Sequence, residues 1–219
     1  MATRPLRTRV KICGLCSADD ARAAARAGAD ALGVILVPGA RRRVTSEEAA
    51  AVLADAPPFV ARVGVFVDAS ADEIAEAVER IGLTHVQLHG AETPAFCAAM
   101  PVPAIKVFRV GPGFATSVLE PYRGAVTAIL LDTLVEGEHG GTGHAFAWAD
   151  LPELPDLAPV IVAGGLTPDS VGAAVRTLRP FAVDVSSGVE ASMRVKDHDR
   201  IAAFVRAVRA ADSEETTAP

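Results

Sequence analysis

Two side chains in this sequence are placed to move protons. Cys13 ends the strand-like run Val10–Cys13, and Asp132 ends the run Val126–Asp132. A carboxylate at one strand end and a thiol at another can act as acid and base on one substrate. A free thiol titrates at about 8.5, and a neighbouring cation lowers that value. Lys11, two residues before Cys13, is such a cation. The alternative for Cys13 is a small buried hydrophobe. Cys13 and Cys16 also have the C-x-x-C redox spacing, but no second Cys pair or nearby His completes a metal site. No metal site is expected.

Other polar residues recur at similar places. Gln87 and His89 end V-Q-L-H-G. His89 reads either as a base or as a hydrogen-bonded core histidine. Asp184 sits between two valines in V-D-V-S-S-G-V-E, where a charge is costly unless it is paired or used. Gly164-Gly165 follow one apolar run, and Ser186-Ser187-Gly188 follow another. Backbone N–H groups in such turns can cradle an anion, so the two turns are candidate phosphate-binding loops. Arg41, Arg42 and Arg43 are either a solvated turn or a clamp on a carboxylate. His144 receives no role.

The elements that must position these groups alternate regularly. Strands are expected at Val10–Cys13, Ala31–Leu36, Arg62–Val67, Thr84–His89, Pro103–Phe108, Val126–Asp132, Val160–Ala163 and Phe181–Val185. Helical patterns lie between them. Ser17 reads as an N-cap, and Thr45-x-x-Glu48 and Ser70-x-x-Glu73 as capping boxes. Thr93–Met100 is helical, the segment after Phe108 is weak, and a short helix is expected near Trp148–Leu151. Thr167-Pro168 reads as an N-cap followed by Pro at the first helical position. The last helix is expected over Asp197–Ala210. Val189-Glu190 is expected to begin a short extra helix.

Eight strand–helix units with strands apolar on both faces imply a parallel α/β sheet closed as a (β/α)8 TIM barrel. An open doubly wound sheet would place its phosphate glycines after the first strand. Here the glycine turns come late. In a barrel the site lies at the C-terminal strand ends. Alternation then sends Lys11, Cys13, Gln87, His89, Asp132, Asp184 and Ser186 to the interior, and their neighbours to the helices. Strand eight closes on strand one, so Asp184 is expected to pair with Lys11. That pair is either structural or part of the site.

Composition narrows the field. The chain has 219 residues, 50% of them hydrophobic and only 5% aromatic, so one aliphatic core is expected. A single domain over 1–210 is expected, with 211–219 a disordered tail. A net charge of -6 without a basic run argues against nucleic-acid and membrane partners. Three cysteines and no signal-peptide pattern read as cytoplasmic.

The motifs K-I-C-G, G-A-D-A-L-G-V-I-L, V-G-V-F-V, V-Q-L-H-G, L-L-D-T, G-G-T-G, A-G-G-L-T-P, R-P-F-A-V-D-V-S-S-G-V-E and K-D-H-D occur in this order from Lys11 to the last helix. Together they resemble the phosphoribosylanthranilate isomerase family of tryptophan biosynthesis. The resemblance implies a barrel without cofactor or metal, acting on a small phosphorylated substrate. It implies an Amadori rearrangement of N-(5′-phosphoribosyl)anthranilate to 1-(o-carboxyphenylamino)-1-deoxyribulose 5-phosphate. By motif the family's general base falls on Cys13 and its general acid on Asp132. Its carboxylate-binding arginine falls on Arg42, and its phosphate loops on Gly164, Gly165, Ser186, Ser187 and Gly188. Asp184 matches an aspartate lining the site, with Lys11 and His89 as further substrate-binding candidates. The family holds monomers and dimers, so monomer and homodimer both stay open.

The sequence departs from the family pattern in places. V-P-G-A-R-R-R lacks the tyrosine and serine often found after strand two, and Cys16 replaces a more common Thr or Asn. His144 stands where a lysine is common. Two rival readings are a related aminoaldose-phosphate isomerase and a non-catalytic phosphate-binding paralogue. The first would carry a carboxylate where Cys13 stands, within a half-barrel repeat that is not evident here. The second is disfavoured by the presence of both Cys13 and Asp132.

Overall fold

The computed structural model describes residues 7–111, 113–133 and 154–216. The expected helix near Trp148–Leu151, the G-G-T-G stretch at 140–143 and His144 lie outside the described residues. Eight parallel strands close into a barrel in sequence order. They are β1 (Arg9–Ile12), β2 (Ala31–Ile35), β3 (Ala61–Phe66), β4 (His85–Leu88), β5 (Ala104–Arg109), β6 (Ala128–Asp132), β7 (Val160–Ala163) and β8 (Ala182–Val185). The helices are α1 (Ala18–Ala27), α2 (Ser46–Leu53), α3 (Ala71–Ile81), α4 (Pro94–Ala98), α5 (Val171–Leu178) and α6 (His198–Thr216). Among the described residues no helix is long and apolar enough to cross a membrane.

Local chemistry explains the helix starts. The Thr45 and Ser70 hydroxyls accept from the Glu48 and Glu73 N–H groups, and those glutamates reach back to the cap N–H groups. Ser17 caps α1 by accepting from Asp20 N. α5 starts later than Thr167-Pro168 suggested. Thr167 and Ser170 bond each other through side chain and backbone, forming a turn that delays the helix to Val171. The weak segment after β5 is a 3-10 turn, Thr116–Tyr122, with Pro121 inside it.

Period-two alternation splits the core in two. Val63, Ile105, Val107, Ala128, Leu130, Ile161, Ala163 and Ala182 form a cluster inside the barrel. Val10, Ile12, Leu32, Val34, Val86, Leu88, Val183 and Val185 take the opposite parity and pack against the helices. α6 lies against both α1 and α5 and closes the outer ring. Its Phe204 is fully buried.

Two expectations at the C-terminal end are corrected. Residues 211–216 of the expected 211–219 tail continue α6, which runs to Thr216 with Ala211 fully buried, and 217–219 lie outside the described residues. Asp212 accepts from Thr8 N and Thr8 Oγ1, both at 2.8 Å, and so fastens α6 to the start of β1. The chain at Val189-Glu190 does not begin a helix either. A single 3-10 turn covers Ser187–Val189, and a hairpin follows, β9 (Glu190–Ser192) with β10 (Val195–Lys196).

Candidate active site

β1 and β8 build one side of the barrel mouth. Lys11 and Asp184 are register partners on these adjacent strands, both on interior parity. Lys11 Nζ donates to Asp184 Oδ2 at 2.9 Å, and both side chains are buried. The pairing expected from the sequence is therefore present. Burial works against the Lys11 ammonium, but Asp184 and Cys13 outweigh it and raise its pKa above the lysine value. The other oxygen, Asp184 Oδ1, is buried without a hydrogen-bond partner among the described residues, as is Ser186 Oγ. Buried polar atoms are seldom left so, which marks these two as open to a ligand.

Cys13 follows β1 directly, and its N–H donates to Val185 O at 2.8 Å. Its thiol is buried beside Lys11. Burial pushes the thiol pKa up and Asp184 adds to the rise, while Lys11 and Lys196 oppose it. Gly33 on β2 makes room for this arrangement. A methyl group there would lie 2.9 Å from Cys13 Sγ and 3.1 Å from Lys11 Nζ. Cys13 and Cys16 are both free thiols, and Cys16 Sγ points to the carbonyls of Gly14 and Arg42.

The other side of the mouth comes from β4, β6 and β7. Asp132 Oδ2 lies 3.5 Å from His89 Nε2. Arg109, opposite Asp132 in the β5–β6 register, shares its interior parity. Around the ring, β7 and β8 separate Asp132 from Cys13. Gly164, with φ 97°, passes so close to β6 that a methyl group would lie 2.4 Å from Thr133 Oγ1 and 2.9 Å from Asp132 Oδ1. Gly188 is needed for a second close approach: a methyl group there would lie 1.8 Å from Leu166 O. The turns at 164–166 and 186–188 are thus packed against each other, as one anion cradle requires.

Of the three arginines after β2, Arg41 and Arg43 are exposed and Arg42 is half-buried. Arg42 does not stand alone. Its Nε and Nη2 donate to the two carboxylate oxygens of Glu190, each at 2.6 Å. Glu190 Oε1 also accepts from Lys196 Nζ at 3.3 Å, and Lys196 Nζ donates to Ser186 O at 2.8 Å.

Sequence reasoning gave Glu190 and Lys196 no role. Each lay inside a recognised motif, and a buried charge beside such a motif was the available signal. A second buried pair was also missed. Lys106, on the helix side of β5, bonds Glu92 Oε2 at 3.0 Å and Gly90 O at 2.7 Å. Glu92 in turn accepts from the N–H groups of Gly90 and Asp68. This pair holds the loop that carries His89. Among the described residues no group of three or more His, Cys, Asp or Glu side chains is arranged to hold a metal.

Comparison with known proteins bears on the family and the fold. A family model described as N-(5′-phosphoribosyl)anthranilate (PRA) isomerase matches residues 10–207. The N-(5′-phosphoribosyl)anthranilate isomerase of Pseudomonas fluorescens (strain SBW25) is 48% identical over 203 residues, 92% of this chain and 95% of that protein. The crystal structure of the Thermotoga maritima phosphoribosyl anthranilate isomerase superposes with a TM-score of 0.86 at 38% identity, covering 93% of this chain and 99% of that one. A phosphoribosyl anthranilate isomerase in complex with reduced 1-(o-carboxyphenylamino)-1-deoxyribulose 5-phosphate superposes with a TM-score of 0.80 at 34% identity, covering 93% and 99%. With the family model matching residues 10–207, and relatives at 48% identity over 92% of the chain, the chain belongs to the phosphoribosylanthranilate isomerase family.

Proposed function

We propose that this chain converts N-(5′-phosphoribosyl)anthranilate to 1-(o-carboxyphenylamino)-1-deoxyribulose 5-phosphate, an aldose–ketose isomerisation in tryptophan biosynthesis. The observation that carries the residue assignment is the pair of proton-transfer groups on one mouth, Cys13 beside β8 and Asp132 on β6. Asp132, as the acid, protonates the furanose ring oxygen as the C1′–O bond breaks, leaving a Schiff base. Cys13, as the base, removes the C2′ proton, and the resulting enolamine tautomerises to the ketone. Lys11 stabilises the Cys13 thiolate against burial. The open oxygens of Asp184 and Ser186 suit the hydroxyls of the opened sugar. Arg42 takes the anthranilate carboxylate, and the turns at Gly164-Gly165 and Ser186-Ser187-Gly188 take the phosphate. His89 stands beside Asp132 and completes the polar wall there.

The experiment is an anthranilate-fluorescence assay. The substrate is generated in situ and its loss followed with wild type, Asp132→Asn and Cys13→Ser. Loss with wild type and at least a hundredfold slower loss with either variant is expected, the usual size of a general acid or base effect being about 10²–10⁴. Inactive wild-type protein, where a known isomerase works, would instead favour another aminoaldose phosphate or a non-catalytic role. Activity retained in Asp132→Asn would remove that residue from the mechanism and leave the reaction standing.

A further inference from the structure

The β2 loop and the β9–β10 hairpin bring together three charged groups that neither give nor take a proton in the proposed steps. Arg42 reaches from the β2 loop, Glu190 opens β9 and Lys196 ends β10. Glu190 is buried, and both its oxygens are committed to Arg42. Arg194, between the two hairpin strands, donates to the carbonyls of Arg41 and Arg43, on either side of Arg42. Side chain and backbone of Arg42 are therefore both held from the same hairpin. The Arg42 stem crosses Gly14, where a methyl group would lie 2.7 Å from its Cδ. The stem therefore runs against the residue that follows Cys13.

A guanidinium has five N–H donors in a rigid plane. Glu190 takes the Nε hydrogen and one on Nη2. The two Nη1 hydrogens and the second Nη2 hydrogen form another edge, and among the described residues no side chain accepts from it. Such an edge matches a second carboxylate in bidentate fashion. Charge agrees: Arg42 and Lys196 against Glu190 leave one net positive charge for an anion. A long arginine would otherwise sample many rotamers, and holding it beforehand lowers the entropy lost when a ligand arrives.

We propose that Glu190 is a positioning residue that presets the Arg42 guanidinium for the substrate carboxylate, with Lys196 fastening Glu190 to the turn at Ser186. This deepens the isomerase reading and rests on it for the identity of the carboxylate. The phosphate end of the ligand is outside the effect.

The test uses two non-reacting product analogues in calorimetry. One is reduced 1-(o-carboxyphenylamino)-1-deoxyribulose 5-phosphate, and the other is the same molecule without its carboxylate. Glu190→Gln keeps the size but loses the ionic fork. It should weaken the carboxylate-bearing analogue about tenfold, the scale of one charge-assisted hydrogen bond. The analogue without the carboxylate should bind as in wild type. Glu190→Asp keeps the charge facing Lys196 and withdraws the fork by one methylene. It should give the same selective loss, and it serves if Glu190→Gln does not fold. Equal weakening of both analogues, or of neither, overturns the proposal. Failure of wild type to bind either analogue would refute the isomerase reading itself and is a distinct result.

Discussion

Replacing Lys11 by Met removes one partner of the buried pair and makes two separable changes. Lys11 is 3% exposed, and its ammonium lies 2.9 Å from Asp184. Methionine nearly matches its length but leaves the Asp184 carboxylate buried without its counter-charge. Breaking a buried pair on one side costs about 3–5 kcal/mol. Urea unfolding at pH 7 should show that loss as a lower midpoint at unchanged m-value. The folded pKa of Lys11 is raised, so its contribution is fully present below the unfolded value of 10.5 and is lost as pH rises through the folded value. Measurement at pH 7 therefore sees all of it. Lys11→Met/Asp184→Leu, with neither charge left, should recover most of the stability. Activity should move separately. Burial already raises the Cys13 pKa, and Lys11 is the main group opposing that rise. The ascending limb of kcat/KM against pH should therefore move to higher pH in Lys11→Met. A stability loss below about 1 kcal/mol, the range of an exposed pair, would refute the account of burial. An unmoved pH limb would refute the electrostatic link to Cys13.

The same buried-pair logic applies to Lys106→Met. It should cost about 3–5 kcal/mol in urea unfolding, because Glu92 is as buried as its partner; a loss under 1 kcal/mol would show that the loop after β4 holds itself. Gly188→Ala would press a methyl group against Leu166 O. Calorimetry with the reduced product should show weaker binding of its phosphate end, and unchanged affinity would separate the two turns from phosphate binding. Phe204→Ala empties a fully buried site between α6 and the barrel. It should cost about 3–5 kcal/mol, and near-wild-type thermal stability would mean that the α6 layer collapses onto the gap.

The barrel was legible because each strand and helix announces itself locally. Thr45 with Glu48 and Ser70 with Glu73 carry their own start signals, and Val10, Ile12, Val183 and Val185 show their parity in the sequence. The Lys11–Asp184 pair was legible for the same reason: once β8 closes on β1, two interior charges must meet. The hairpin was not. Its turn holds Arg194 at φ 71°, a conformation that Gly or Asn usually signals, and neither is present. The Arg42–Glu190 fork joins residues 148 positions apart and leaves no periodic trace. The end of α6 was misread because its polar composition resembles a tail, while Asp212 is retained by a bond to Thr8. Thr167-Pro168 carried a valid start signal that a competing Ser170 turn displaced.

The seam between β1 and β8 also bears on how the protein is made. Lys11 leaves the ribosome early, and the carboxylate it needs is synthesised 173 residues later. Closing the barrel buries that ammonium, which would be unfavourable without the counter-charge. The last quarter of the chain, with Asp184, Glu190 and Lys196, completes the surroundings of Cys13. A chain that stops before β8 therefore lacks both the carboxylate that pairs with Lys11 and the strand whose Val185 carbonyl accepts from Cys13.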